Sequence, residues 1–213
     1  MEKFQTRREF LKSTGKLVAG VAVASTLSPV LDVFAEKNES VAAPAYPWPY
    51  KKLDPAVAEE RGYRGYYEKG GCARGVADAI IGQLADDVGY PFNQIPIDMY
   101  AIGATGYGAG SLCGSLAGAV NAIGLVCGPD DAKKVRDDLF AWYRKAELPI
   151  YQPKLESIKT VAKSVNCEDS VVTYMKAAEI TDMKDERRKE RCAGVTGDVA
   201  KKTVELLNEY FKL

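Results

Sequence analysis

The stretch that most restricts the fold is CGSLAGAVNA, residues 113 to 122, in which Gly114, Gly118 and Ala122 recur every four positions. On a helix, residues four apart lie one above another, so this period leaves a strip of nearly bare backbone along one face. Such a strip lets a neighbouring element approach closer than larger side chains would permit. The pattern predicts close helix packing, with Cys113 standing where a run of glycines (Gly103, Gly106, Gly108, Gly110) meets the helix.

The rest of the chain also reads in helical periods. Asp54-Pro55 supplies an N-cap and a first-turn proline for a helix to about Glu68, with Tyr63, Tyr66 and Tyr67 along one side as core. A second helix is predicted from Cys72 to Val88, with Val76, Ala79, Ile80 and Leu84 at helical spacing and Gly89 as its stop. A short helix around Met99, Tyr100 and Ile102 precedes the glycine run, and helix resumes near Ser111. Gly128-Pro129-Asp130-Asp131 opens a further helix to about Ala146, with Val135, Leu139, Trp142 and Tyr143 on its buried side. Leu148 to Ser164 is irregular; a short helix follows Cys167, led by Asn166 with Glu168 and Asp169 in its first turn. A long charged helix runs from about Asp182 through Cys192 and buries Val199, Val204, Leu206, Leu207 and Tyr210. No segment reads as a strand, so the expected fold is an all-α compact helical bundle with a Pro-rich N-terminal arm.

Three regions follow from composition. Residues 1–35 read as a twin-arginine signal peptide: Thr6-Arg7-Arg8-Glu9-Phe10-Leu11-Lys12 precedes a mildly apolar stretch, and Val33-Phe34-Ala35 offers a cleavage site. This predicts passage through the Tat translocase to the periplasm, a route used by proteins that fold and load cofactors before export. Residues 36–54, with Pro44, Pro47 and Pro49, form the arm, and residues 55–213 form one domain. The whole chain has no net charge, and the part after residue 35 counts as two units negative, which gives no footprint for nucleic acid. The glycine run has neither the Gly-Lys-Ser/Thr of a phosphate loop after it nor an apolar strand before it.

The chain contains no histidine. That removes the commonest general base, zinc ligand and axial ligand of haem, and no nucleophile and base pair stands out, so the reading leans to a non-enzymatic protein. Chemistry then falls to five cysteines. If residues 113 to 127 form one helix, Cys113 and Cys127 lie about 21 Å apart at about 1.5 Å per residue, so they cannot share one site. Cys127 is thereby a buried small hydrophobe. Of the remaining four, Cys72, Cys113 and Cys167 fall at helix starts, where free N-H groups and the helix dipole are expected to lower a thiol's pKa; Cys192 lies on the last helix. Spacing alone leaves three uses open for the four: an iron-sulfur cluster, a pair of disulfides, or structural zinc. Zinc is somewhat disfavoured because no paired knuckle is present.

At these positions the sequence resembles the redox-active family named for its C-GCAxxG-C-C pattern. CGSLAG at 113–118 is similar to that family's glycine-flanked cysteine element, with Ser115 where the family has Ala, and Cys72, Cys113, Cys167 and Cys192 match its four cysteines in order. LDPAVAEERGYRGYY, SLCGSLAGAVNAIGLV and RRKERCAGVTGDVAKKTVELLNEY extend the resemblance to the split-Soret class of c-type cytochromes. The resemblance implies a helical homodimer with an iron-sulfur centre held by Cys72, Cys113, Cys167 and Cys192; the reading adopted is a 2Fe-2S cluster for electron transfer with a redox partner, the alternative being a non-redox scaffold or binding protein held by disulfides or structural zinc. Haem is not implied, because the chain lacks both C-x-x-C-H and histidine.

Overall fold

The computed structural model describes residues 44–213; the twin-arginine segment and the first part of the arm lie outside the described residues. Helix α1 (Pro55–Glu68) begins where the sequence places it, with the Asp54 carboxylate accepting from the Ala56 N-H and Pro55 in the first turn. Its buried face is Ala58, Glu59, Gly62 and Gly65, which corrects the assignment of Tyr63, Tyr66 and Tyr67 to the core. Small residues win that face because α1 packs most extensively on α7 (Glu186–Phe211), backbone close to backbone. A Cβ on Gly62 would stand 3.0 Å from the Ala200 Cβ. The tyrosines are displaced to the flank, Tyr66 beside Cys72 and Cys192, and Tyr63 and Tyr67 against Glu190.

The second predicted helix is present but is not uniform. Helix α2 (Cys72–Ala77) passes through a π turn, Asp78–Gly82, into α3 (Gln83–Val88), and Gly89 ends it with φ 76°. Buried Asp78 occupies the widened turn, with its carboxylate accepting from Arg61 at 2.8 and 3.1 Å. A 3-10 segment, Ile97–Gly103, leads to a turn at Gly106–Gly110. Helix α4 (Gly114–Val126) starts three residues later than predicted, with Cys113 as its N-cap and Cys127 as its C-cap. Its small-residue strip closes on α2, where a Cβ on Gly118 would meet the Ala73 carbonyl oxygen at 2.5 Å.

Helix α5 (Pro129–Lys145) buries Val135, Leu139 and Tyr143, and α6 (Cys167–Ala177) follows an irregular stretch. That stretch holds the one departure from an all-helical reading among the described residues. Strands β1 (Glu147–Leu148) and β2 (Thr160–Val161) pair antiparallel, with Glu147 opposite Val161. Two residues per strand are too few to leave an alternating pattern in the sequence. The main core unites Val76, Ile80, Leu116, Ile123, Leu139 and Val199. A smaller cluster of Val171, Tyr174, Met175 and Ile180 lies around α6. No helix among the described residues is long and apolar enough to cross a membrane.

Candidate metal centre

Each of the four matching cysteines is placed by a distinct local device. Cys72 opens α2 after Gly70 (φ 77°) and Gly71 (φ 125°), a reversal that needs the left-handed backbone region. Cys113 and Cys167 are drawn together by a single antiparallel bridge, Leu112 opposite Asn166. The Cys113 N-H donates to the Val165 carbonyl at 2.8 Å, and the Cys167 N-H donates to the Ser111 carbonyl at 2.6 Å. The two cysteines therefore leave the same rung and start α4 and α6 side by side. Cys192 enters from the second turn of α7. Gly114 completes the approach, because a Cβ there would collide with the Cys72 sulfur.

A left-handed turn covers one side. Thr105, Gly106, Tyr107 and Gly108 have φ values of 54°, 59°, 59° and 71°. For Thr105 and Tyr107 this conformation costs about 1 kcal/mol or more each, so the surrounding structure must hold it. The Thr105 backbone N-H is directed at the Cys72 thiol. A Cβ on Gly106 would lie 2.9 Å from the Cβ of Cys167, so the turn rests on that residue.

The four cysteines line one recess together with Arg191 and Ser170. The space between them is about 20 Å³, enough for little more than one water. Cys72, Cys167 and Cys192 also border a second hollow of about 220 Å³, which extends past Tyr66, Met183 and Arg188. A larger hollow of about 330 Å³ around Glu156 and Arg187 contains no cysteine. All five cysteines are free thiols. Among the described residues, no three His, Cys, Asp or Glu side chains are gathered tightly enough to hold a single metal ion.

The electrostatics are unusual for an interior. Arg191 is 2 % exposed, yet among the described residues it has no carboxylate partner. Its Nη2 donates to Ser170 Oγ at 2.7 Å, its Nη1 lies 4.0 Å from the Cys192 sulfur, and its Nε has no partner. Burial works against the charge, and Cys192, Tyr143 and Cys113 more than offset it, so the guanidinium stays protonated. Arg188 donates from Nε to the Met183 carbonyl and brings Nη1 to 4.0 Å from the same sulfur. A buried cation without a counter-charge is costly, and the groups placed to supply one are Cys192, Tyr143 and Cys113.

The expected lowering of thiol pKa at the helix starts is overturned at two of the three. Burial first, and then the neighbouring thiols, push Cys72 upward and push Cys167 up to about 12. At these two positions desolvation and mutual repulsion of the thiols outweigh the helix dipole. Cys127 lies in the main core, fully buried, with its thiol pushed up to about 11 by burial and then by Asp131. That matches its reading as a small hydrophobe. Sequence reasoning missed Arg191, Ser170 and Tyr143. Arg191 had one signal, its place beside Cys192; Ser170 and Tyr143 sit among ordinary helix residues and had none.

Comparison with known proteins gives the chain a family. The family described as "Putative redox-active protein (C_GCAxxG_C_C)" matches residues 72–206, and the chain belongs to it. Split-Soret cytochrome c from Desulfovibrio desulfuricans is 32 % identical over 173 residues, which cover 77 % of this chain and 62 % of that relative. The chain thus spans less than two thirds of the curated relative's length. The solved structure of that cytochrome, described by its novel iron centre, matches with a TM-score of 0.75 and 32 % identity over 78 % of this chain and 72 % of the other.

Proposed function

We propose that this chain is an exported electron-transfer protein that holds an iron-sulfur cluster of the 2Fe-2S kind through Cys72, Cys113, Cys167 and Cys192. The observation that carries this reading is the convergence of four cysteines from distant parts of the chain on one recess, beside a buried arginine without a carboxylate partner. The donor set suits the group: four cysteine thiols border one recess, and cysteine thiolates are the ligands of iron-sulfur centres. Four thiolates would also supply the negative charge that Arg191 lacks.

When bound, the cluster supplies one-electron exchange. The protein's own residues hold it at four points and limit the approach of water through the Thr105–Gly108 turn. A relative with a described iron centre supports a metal at this site. Haem is not part of the reading, because the chain has no histidine. Assembly as a homodimer and a separate redox partner in the periplasm complete the proposal. Disulfide stapling would need two separate pairs, whereas the four cysteines border one recess.

Anaerobic purification from the periplasmic fraction, with iron, zinc and acid-labile sulfide measured per chain, tests the reading. Equal iron and sulfide, near two of each, is the expected result. Zinc without sulfide, or a chain without metal, rejects it. Replacing Arg7 and Arg8 together by Lys should leave the precursor in the cytoplasm; unchanged export would reject the twin-arginine route.

A further inference from the structure

Along the wall of the recess runs a buried polar chain that neither packing nor the cysteine pattern requires. Arg191, Ser170 and Tyr143 are 2 %, 1 % and 0 % exposed. Arg191 Nη2 donates to Ser170 Oγ at 2.7 Å, Ser170 Oγ meets the Tyr143 hydroxyl at 3.0 Å, and that hydroxyl lies on the side of Cys113, whose sulfur acts on it electrostatically. The direction of the first bond is fixed by donor count, while the two hydroxyls of the second can each donate. Arginine can only donate, so Ser170 Oγ accepts from it and is left with its own proton to give. If Ser170 gives that proton to Tyr143, the tyrosine proton is free for sulfur. Every donor in the chain then points from the guanidinium toward Cys113, and a run of bonds aligned in one sense strengthens each member.

From this geometry we infer that Arg191, Ser170 and Tyr143 form a relay that stabilises negative charge on Cys113 and thereby raises the reduction potential of the centre. Arg191 acts a second time directly, through Nη1 toward Cys192. These are positioning residues that act on the ligand sulfurs. The inference rests on the cluster reading above. Reduction adds one electron to the centre, and a donor aimed at a ligand sulfur favours the more negative state over the oxidised one. The buried surroundings keep water from replacing the lost donor when one link is cut.

The test is a redox titration of the anaerobically purified full chain, wild type against Tyr143→Phe, Ser170→Ala and the double variant, with iron and sulfide measured on each sample. Tyr143→Phe keeps the ring that fills the core and removes the last donor. The reduced-to-oxidised ratio at a fixed poise should fall about tenfold, or about 59 mV for a one-electron couple. Ser170→Ala should shift it in the same direction, and the double variant should move little beyond Tyr143→Phe alone, because both cuts break one line. Iron-sulfur stretching frequencies should change with Tyr143→Phe. Unchanged potentials at full iron and sulfide content overturn the relay and leave the cluster reading standing, as do strictly additive shifts. Wild-type protein without iron and sulfide overturns both. Arg191→Lys keeps the charge without the fork and should lie between wild type and Tyr143→Phe; a shift of opposite sign counts against the relay.

Discussion

Cys113 and Cys127 cap the same helix, and their surroundings divide the chemistry between them. Cys113 opens on the recess and faces Tyr143, whereas Cys127 is enclosed by the main core at the far end of α4. Burial holds the Cys127 thiol protonated, with its pKa pushed up to about 11, so at neutral pH it is neither a good nucleophile nor a ready ligand. Cys127→Ala removes one buried sulfur, worth about 1 kcal/mol by analogy with a methylene. That variant is expected to keep full iron and its visible absorption, with a slightly lower melting temperature. Cys113→Ser should lose the absorption while keeping the helical circular dichroism. Iron content and absorbance of the two variants decide the matter, and loss of iron in Cys127→Ala would contradict the division. The separation of the two cysteines was legible because it needed only the rise per residue of one helix. The Arg191 to Tyr143 line was not, since it joins α7, α6 and α5, and no sequence period relates residues on three different helices.

At the scale of elements, what could be read in advance were the features set by local chemistry. Asp54-Pro55, Gly89 and Gly128-Pro129 mark helix limits through caps and backbone conformation, and the structure places those limits at the same residues. The features missed depend on distant neighbours. Tyr63 and Tyr67 have the hydrophobicity of core residues, but their hydroxyls donate to the buried Glu190 carboxylate at 2.6 and 2.5 Å, which holds them at the flank of α1. The one-rung bridge that pairs Cys113 with Cys167 is too short to leave a pattern. The strip on α4 was legible and can be tested within that one helix. A Cβ on Gly118 would press on the Ala73 carbonyl at 2.5 Å, and α2 would have to move, carrying Cys72 with it. Gly124 lies on the same helix with nothing within 4 Å of an added Cβ. Gly118→Ala should therefore destabilise by about 1–3 kcal/mol through overpacking and reduce iron retention. Gly124→Ala should be neutral or stabilise by about 0.5–1 kcal/mol through the helix preference of alanine. Denaturant titrations of both variants measure this, and equal effects would remove the close approach of α2 and α4 as a determinant of the site.

The whole molecule is built from two apolar clusters of unequal size, and the cysteines stand at their seam. Cys113 belongs to the main core, while Cys167 and Cys192 pack against the smaller cluster of Val171, Tyr174, Met175 and Ile180. Local stability follows the number of buried apolar groups an element shares with its neighbours, so α6 should open more readily than α4 or the second half of α7. Its ties to the main core run through Ser170, which meets Tyr143 and Arg191, and through the Leu112–Asn166 bridge at its start. A centre bound by all four cysteines would add a link between the two clusters, and binding to the folded form alone stabilises whatever must be folded to bind. Loading the centre is therefore expected to protect α6 more than the rest of the chain. Hydrogen exchange followed by mass spectrometry on loaded and metal-free protein should show the amides of residues 171–177 slowed at least tenfold by loading, which corresponds to about 1.4 kcal/mol. Amides of α4 from Ala119 to Val126 should change much less, because the main core already holds them. Uniform slowing across the chain would mean that the molecule opens as a single unit, and no slowing at 171–177 would mean that Cys167 does not hold the centre. In the second case the ligand set would reduce to Cys72, Cys113 and Cys192.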